Sequence, residues 1–404
     1  MNQPLKGVKV IDLTYFVAGP GAGKMLADWG ADVIKVEPGC GDPCRKTGAT
    51  MCMPIEEDCN PLYSTYNANK RGLSVNLKTE EGMAVMDKLL KESNVFLSSY
   101  RTGALKRLGL DYESISEKCP HIVWAQINGF GDYGPIKDNA GFDLVAYWAR
   151  SGAMIDIAEK DTSPINPPIG FGDSVTSCSL AAGICAALYE QQKTGKGQKV
   201  MVSLLAQGIW NMGSIFASCQ YGDEYPKTRK DAVSPVMNSF RCKDGEWLYI
   251  SILEHDRYYN TLMGQVLGRE DLVDDPRFAK AAEGKKHGRE LIRILEEEFA
   301  KHTSEEMKEK LKAADIAHEV LQHITDVVND LQAEANKYIV EIQNRDGSFT
   351  KYAQTPVKFN DIEPVVICDA PKVGQDSYEI LDELGYSREE IDRMVEKGIV
   401  VCKK

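Results

Sequence analysis

Short β-rich runs alternate with helical patterns through the first half of this chain, and that alternation leaves few folds open. Val8–Leu13 (VKVIDL) is a strand candidate, followed by a glycine-rich AGPGAG run and a helix to about Trp29. Asp32–Glu37 (DVIKVE), Val95–Tyr100 and Ile122–Ile127 are further strands, and Lys199–Leu204 restarts one late in this half. Between them, Glu80–Glu92 reads as a helix with Thr79 as its N-cap and two acids in its first turn. Ser177–Gln192 reads as an apolar helix stopped by Gly195 and Gly197. Strand–helix–strand repetition of this kind builds a parallel sheet covered by helices.

The pattern changes after about residue 222. Pro226 and the loop to Pro235 precede a short β run, Glu246–Leu253, and two charged helices follow. One covers about 286–300, and the other opens on the capping box Thr303-Ser-Glu-Glu306. From about 330 mixed β patterns return, and a last helix opens at Ser387 with Glu390 three residues on. The expected fold is therefore α/β: a large Rossmann-like parallel-sheet domain plus a smaller α+β domain. Residues 1–222 form the first part of the large domain, 223–328 the small one, and 329–404 return to the large one.

Gly19-Pro20-Gly21-Ala22-Gly23-Lys24 invites two nucleotide readings, and both fail. A phosphate-binding P-loop needs glycine where Ala18 stands and a hydroxyl residue where Met25 stands. A dinucleotide fingerprint needs its third glycine one residue later than Gly23. What survives is a strand–turn–helix at which a ligand approaches backbone closely.

A net charge of −12 argues against nucleic acid or an anionic membrane as partner. No run of apolar residues approaches the 18 that would suggest a spanning helix. Met1–Lys6 lacks the basic and apolar regions of a secretion signal, so a cytoplasmic protein is expected. Within the acidic chain, residues 66–107 carry eight Lys or Arg against four acids, a local excess suited to phosphates or to solvated helix faces. Eleven cysteines suit reduced thiols. Cys40, Cys44, Cys52 and Cys59 crowd one segment without the paired spacing of a zinc site, so no metal is expected.

Pro168-Ile-Gly-Phe-Gly-Asp173-Ser174 places an acid after a glycine-rich turn and before the apolar helix. Asp173 or Ser174 serves there as an N-cap, or Asp173 serves as a nucleophile kept ionised by the helix terminus. Spacing does not choose between them. The surrounding segments do more. LKGVKVIDLTYFVAGPGAGKMLADWGADVIKVEPGCGDPCR, NANKRGLSVNLKTEEG, RTGALKRLGLDY, GFGDSVTSCSLAAGICAALYEQQKTGKGQKVMVSLL, SFRCKDGEWLYISI, DDPRF and APKVGQDSYEILDELGYSREEI resemble the family III CoA-transferases. They do so in the family's order, over residues 5–395.

The resemblance implies a large domain built from both chain ends, a small domain between, and two subunits interlocked as a homodimer. It places the catalytic carboxylate on Asp173, and Phe16, Val75, Lys78, Ser99, Tyr100 and Arg107 at the coenzyme A site. Lys78 and Arg107 suit the nucleotide phosphates. Coenzyme A and acyl-CoA are then substrates, with no permanently bound cofactor, and the other partners are small carboxylic acids. Ser99 stands where formyl-CoA transferase has Asn, Val17 where it has Gln, and Pro38 where it has Arg. Val17 and Phe142 would line an apolar acyl pocket. Arg101-Thr-Gly-Ala-Leu, and Gly141-Phe142-Asp143 followed by Ala149-Arg150, resemble the branch acting on 2-hydroxyisocaproate and phenyllactate.

The implied reaction runs through an aspartyl anhydride and an aspartyl-CoA thioester. The strongest rival, a 2-methylacyl-CoA racemase, needs a histidine base in a G-H-D motif. Here Phe142 fills that position and cannot move a proton.

Overall fold

The computed structural model describes residues 3–47, 59–359 and 368–403. Twelve strands are present among them: β1 (Lys9–Leu13), β2 (Asp32–Glu37), β3 (Arg71–Val75), β4 (Val95–Ser98), β5 (Val123–Asn128), β6 (Lys199–Ser203), β7 (Met237–Arg241), β8 (Trp247–Ser251), β9 (His318–Val320), β10 (Ile339–Gln343), β11 (Phe349–Ala353) and β12 (Val400–Val401). The helices that matter below are α1 (Ala18–Asp28), α2 (Pro61–Asn67), α3 (Glu80–Glu92), α4 (Thr102–Leu108), α5 (Phe171–Thr194), α6 (Gly288–Phe299), α7 (Ser304–Ala313), α8 (Ser377–Glu383) and α9 (Arg388–Glu396).

Residues 1–153, 166–217 and 331–404 make one compact unit. Its sheet runs β12-β3-β2-β1-β4-β5-β6, parallel throughout except for the short edge strand β12. Strands β1, β4 and β5 are almost wholly buried, as strands covered on both faces must be. Helix α3 forms where the capping signal lies: Thr79 accepts the Gly82 N–H at 3.1 Å. Its Val85, Met86, Leu89 and Leu90 enter the core beside Ile11, Phe96 and Trp124. Burying each such side chain is worth about 1.5–3 kcal/mol. The chain's last helices close the same core, through Ile380, Leu381 and Ile391. Ser387 and Glu390 form a capping box on α9.

Residues 154–165 and 218–330 make the second unit. It holds a three-stranded antiparallel sheet, β7-β8-β9. Helices α6 and α7 cover it, and Phe240, Leu248, Ile250, Leu291, Leu295 and Phe299 form its core. The Thr303–Glu306 capping box opens α7.

Two local expectations need correction. The glycine-rich run is not a turn before the helix but the first turns of α1 itself. Tertiary packing overrides the poor helix propensity of glycine here: a Cβ at Gly21 would overlap Ser177, and one at Gly23 would stand 2.6 Å from Asp12 Oδ2. Helix α5 begins at Phe171, six residues before Ser177, so Asp173 lies inside its first turn and neither Asp173 nor Ser174 is the N-cap. By length and composition, α5 is long and apolar enough to cross a bilayer, although Ser, Thr and Gly interrupt any continuous apolar run. Within this unit it packs against α1, where the Ser177 hydroxyl donates to Ala18 O at 2.7 Å.

Candidate active site

The order β3-β2-β1-β4-β5-β6 reverses direction between β1 and β4, and clefts form beyond the carboxyl ends of strands at such a point. The cleft here is lined by Tyr15–Gly19 after β1, Ser99 and Arg101 after β4, Asn128 and Gly129 at the end of β5, the Lys137–Phe142 loop, and Asp173.

Asp173 is held by the turn that starts α5. Gly170, the N-cap, has φ +85°, a conformation that glycine adopts freely and other residues rarely do. The cap role passes to a residue far upstream. Asp143 Oδ2 accepts the Gly170 N–H at 2.8 Å, and the N–H groups of Phe171, Gly172 and Asp173 bear on the same carboxylate. Asp143 itself opens a π-helical turn, Asp143–Ala149, whose Tyr147 ring packs against Gly172. Asp143 takes the N-cap amide, and Asp173, three residues further on, lines the cleft.

The electrostatics differ from the expectation of an acid kept ionised by a helix terminus. Burial, reinforced by the neighbouring Asp143 charge, raises the Asp173 pKa to about 7. Burial likewise raises Asp143, against the opposing pull of the N–H groups it accepts.

Phe16, Val17, Ser99, Phe142 and Asp173 come together in this cleft. Phe16 and Phe142 meet edge to face, with ring centroids 5.5 Å apart. Ser99 Oγ accepts the Tyr15 N–H at 2.8 Å. Tyr100 stands one layer behind, stacked on Tyr15 with centroids at 4.8 Å, and the two hydroxyls meet. Val75, Lys78 and Arg107 lie away from the cleft wall. Val75 is buried in the large core, Lys78 is exposed beyond β3, and Arg107 is exposed on α4.

Of the local cation excess, Lys70 and Arg71 are engaged internally, with Asp12 and with Asp32 and Glu383. Arg101 reaches the cleft instead, joined there by Lys137 from outside that segment, both on exposed ground at its rim. Arg101 was read only as part of the Arg101-Thr-Gly-Ala-Leu resemblance and not as a cleft residue, although it stands three residues after the end of parallel strand β4. Tyr66 also went unremarked; its hydroxyl pairs with that of Ser174 at 3.1 Å, beside the Asp173 turn.

Among the described residues, no group of three or more His, Cys, Asp or Glu side chains is arranged to hold a metal ion. Cys40 and Cys44 are free thiols, while Cys52 lies outside the described residues. Burial pushes Cys44 up to about 12, which keeps it a thiol. His121 Nε2 lies 3.2 Å from Ser93 O, remote from the cleft lining.

The sequence matches CoA-transferase family III over residues 5–377. It is 38% identical to the (R)-2-hydroxy-4-methylpentanoate CoA-transferase of Clostridioides difficile, covering 98% of this chain and 99% of that one. It is 37% identical to the cinnamoyl-CoA:phenyllactate CoA-transferase of Clostridium sporogenes, covering 98% of each. Among solved structures, a CAIB/BAIF family protein from Brucella suis superimposes with a TM-score of 0.81 at 27% identity, covering 95% of this chain and 100% of that one.

Proposed function

The chain belongs to CoA-transferase family III, and from that premise we propose that it moves coenzyme A from an acyl-CoA to a free 2-hydroxy acid with an apolar side chain, with Asp173 as nucleophile. The observation that carries this reading is the cleft itself: the half-buried carboxylate of Asp173, an apolar wall of Phe16, Val17 and Phe142, and at the exposed rim Arg101 beside the Lys137–Asp138 ion pair. 2-Hydroxyisocaproate is the preferred acceptor and phenyllactate the second, in line with the acids named for the two relatives above. Val17, in place of a polar Gln, speaks against oxalate. Phe142 fills the place of a racemase's histidine with a ring that carries no proton.

In the proposed mechanism, ionised Asp173 attacks the thioester carbonyl. The C–S bond breaks, and a mixed anhydride forms as the coenzyme A thiolate leaves. The thiolate then attacks the aspartyl carbonyl, which gives an aspartyl-CoA thioester and frees the donor acid. The acceptor carboxylate attacks that thioester, and the returning thiolate takes up the new acyl group, restoring Asp173. Each step conserves an activated acyl bond, so no ATP is consumed. Both intermediates hydrolyse if water enters, which gives the aromatic wall a second role.

Incubation with a panel of acyl-CoA donors and free acids, read by mass spectrometry, tests the reaction. Hydroxylamine added during turnover should modify Asp173 and no other acid; modification elsewhere, or none, defeats the covalent reading. Two further substitutions separate the ligands. Arg107 and Lys78 are assigned to the coenzyme A phosphates, so Arg107→Ala should raise KM for acyl-CoA, at a loss of about 1.5–3 kcal/mol. Arg101 faces the acid instead, so Arg101→Ala should raise KM for the acceptor and leave that for acyl-CoA nearly unchanged.

An interlocked homodimer in the cytoplasm completes the proposal. The exposed aromatic side chains of Tyr133, Tyr189 and Trp210, between 64% and 89% accessible in the single chain, support a subunit interface.

A further inference from the structure

Behind the cleft wall lie four charges that transfer chemistry does not use. Asp12, Lys35, Asp42 and Lys70 are between 0% and 3% exposed. Lys35 Nζ donates to Thr14 O at 2.6 Å and to Asp42 Oδ2 at 2.9 Å. Asp42 Oδ1 in turn accepts the Phe16 N–H at 3.2 Å and the Cys44 N–H at 2.9 Å. Lys70 Nζ donates to Pro20 O at 2.8 Å, Asp12 Oδ2 at 2.7 Å and Asn67 Oδ1 at 2.9 Å. Thr14 and Pro20 bracket the run Tyr15–Gly19, and all five residues of that run line the Asp173 cleft.

Two facts make this more than a satisfied core. Buried ion pairs contribute little net stability against an apolar replacement of similar volume, so four buried charges at one place call for a different explanation. Phe16 also sits at φ +62°, a left-handed conformation that a bulky residue holds only when its surroundings impose it. The carbonyl of Thr14 and the N–H of Phe16, which bracket Tyr15 and lead directly into that strained residue, are the two groups that the Lys35–Asp42 pair grips.

We propose that Lys35–Asp42 and Lys70–Asp12 act as a two-point clamp that positions the Tyr15–Gly19 run, with the Asp42–Phe16 bond setting the ring that walls the acyl pocket. These are positioning residues, since none of the four lines the cleft. The catalytic half of this inference rests on the proposed function; the mechanical half does not.

Asp42→Asn keeps the size of the side chain and removes its charge. Hydrogen exchange of the 14–19 amides should quicken at least about tenfold in that variant, a local opening rather than global unfolding. Unchanged protection of the Phe16 amide overturns the clamp, whatever the enzyme's substrates prove to be. In kinetics, Asp42→Asn should lower kcat/KM by about tenfold to a hundredfold, the size of effect that a displaced positioning group produces. Repeating it in a Phe16→Gly background discriminates further, because glycine adopts the left-handed turn unaided. The Asp42→Asn effect on kcat/KM should then nearly vanish, while its effect on thermal stability persists. An equal kinetic loss in both backgrounds would mean that Asp42 is only structural, and that overturns the positioning role. If the wild-type protein transfers coenzyme A to no acid in the panel, the proposed function fails while the exchange measurement still decides the clamp.

Discussion

Asp173→Asn is expected to abolish transfer and, at the same time, to make the folded protein more stable above neutral pH. The first half follows from the proposed covalent role, because an amide is no nucleophile toward a thioester. The second follows from burial. The folded pKa of about 7 lies above the ordinary carboxylate value of 3.8. Between those two values the folded state binds more protons than the unfolded one, so stability falls as pH rises through that window and levels off above it. Asn escapes that loss. Asp173 is only partly enclosed at the cleft, so the difference is discounted to about 1–3 kcal/mol. Thermal melts of both proteins from pH 4 to 8.5 would show the curves separating toward high pH. Parallel curves would mean that the carboxylate is not held in a costly environment.

The same pKa makes a kinetic statement. In the proposed mechanism only the ionised form attacks, so kcat/KM should rise with pH through about 7. Burial is the larger cause and Asp143 the smaller. Asp143→Asn should therefore move the midpoint to lower pH without restoring an ordinary carboxylate value. A rise in the midpoint in that variant would contradict a like-charge contribution.

What sequence reading reached and what it missed divide along the distance between partners. Strands β1 and β2 and helix α3 were legible because their causes are local: β-branched runs, the Thr79 cap and an apolar stripe. The Thr303 and Ser387 capping boxes were legible for the same reason. Asp173 was singled out by the resemblance around it, because its Gly-Asp turn alone suits an N-cap equally well. The true start of α5 was not, because its cap is Asp143, a residue from another part of the chain. No local propensity announces that pairing. The glycine-rich run misled for a related reason: its glycines fit close neighbours in α5 and β1, so a segment that reads as a turn folds as helix. The pairing of Lys35 with Asp42 was equally invisible, since a charge within a strand reads as solvated until the sheet buries it.

Gly172→Ala is the smallest change expected to disable the site, and it tests the architecture rather than the chemistry. A Cβ at position 172 would overlap both the Asp143 carboxylate and the Tyr147 ring. Neither neighbour yields easily. Asp143 is tied to the Gly170 N–H at 2.8 Å, and the Tyr147 hydroxyl accepts from Asn211 Nδ2 at 2.6 Å. Backbone at the Asp173 turn must therefore move, and a displacement near 1 Å at a nucleophile costs about a hundredfold in rate. Overpacking of this kind destabilises by about 1–3 kcal/mol, too little by itself to unfold a chain with a core this large. Gly213→Ala is the matched control, since nothing lies within 4 Å of a Cβ there. The expected outcome is a folded Gly172→Ala protein whose kcat/KM falls at least about a hundredfold, beside a control with ordinary activity. A folded Gly172→Ala enzyme with near-normal kcat/KM would show that the contact of Asp143 and Tyr147 with the α5 turn does not set the position of Asp173.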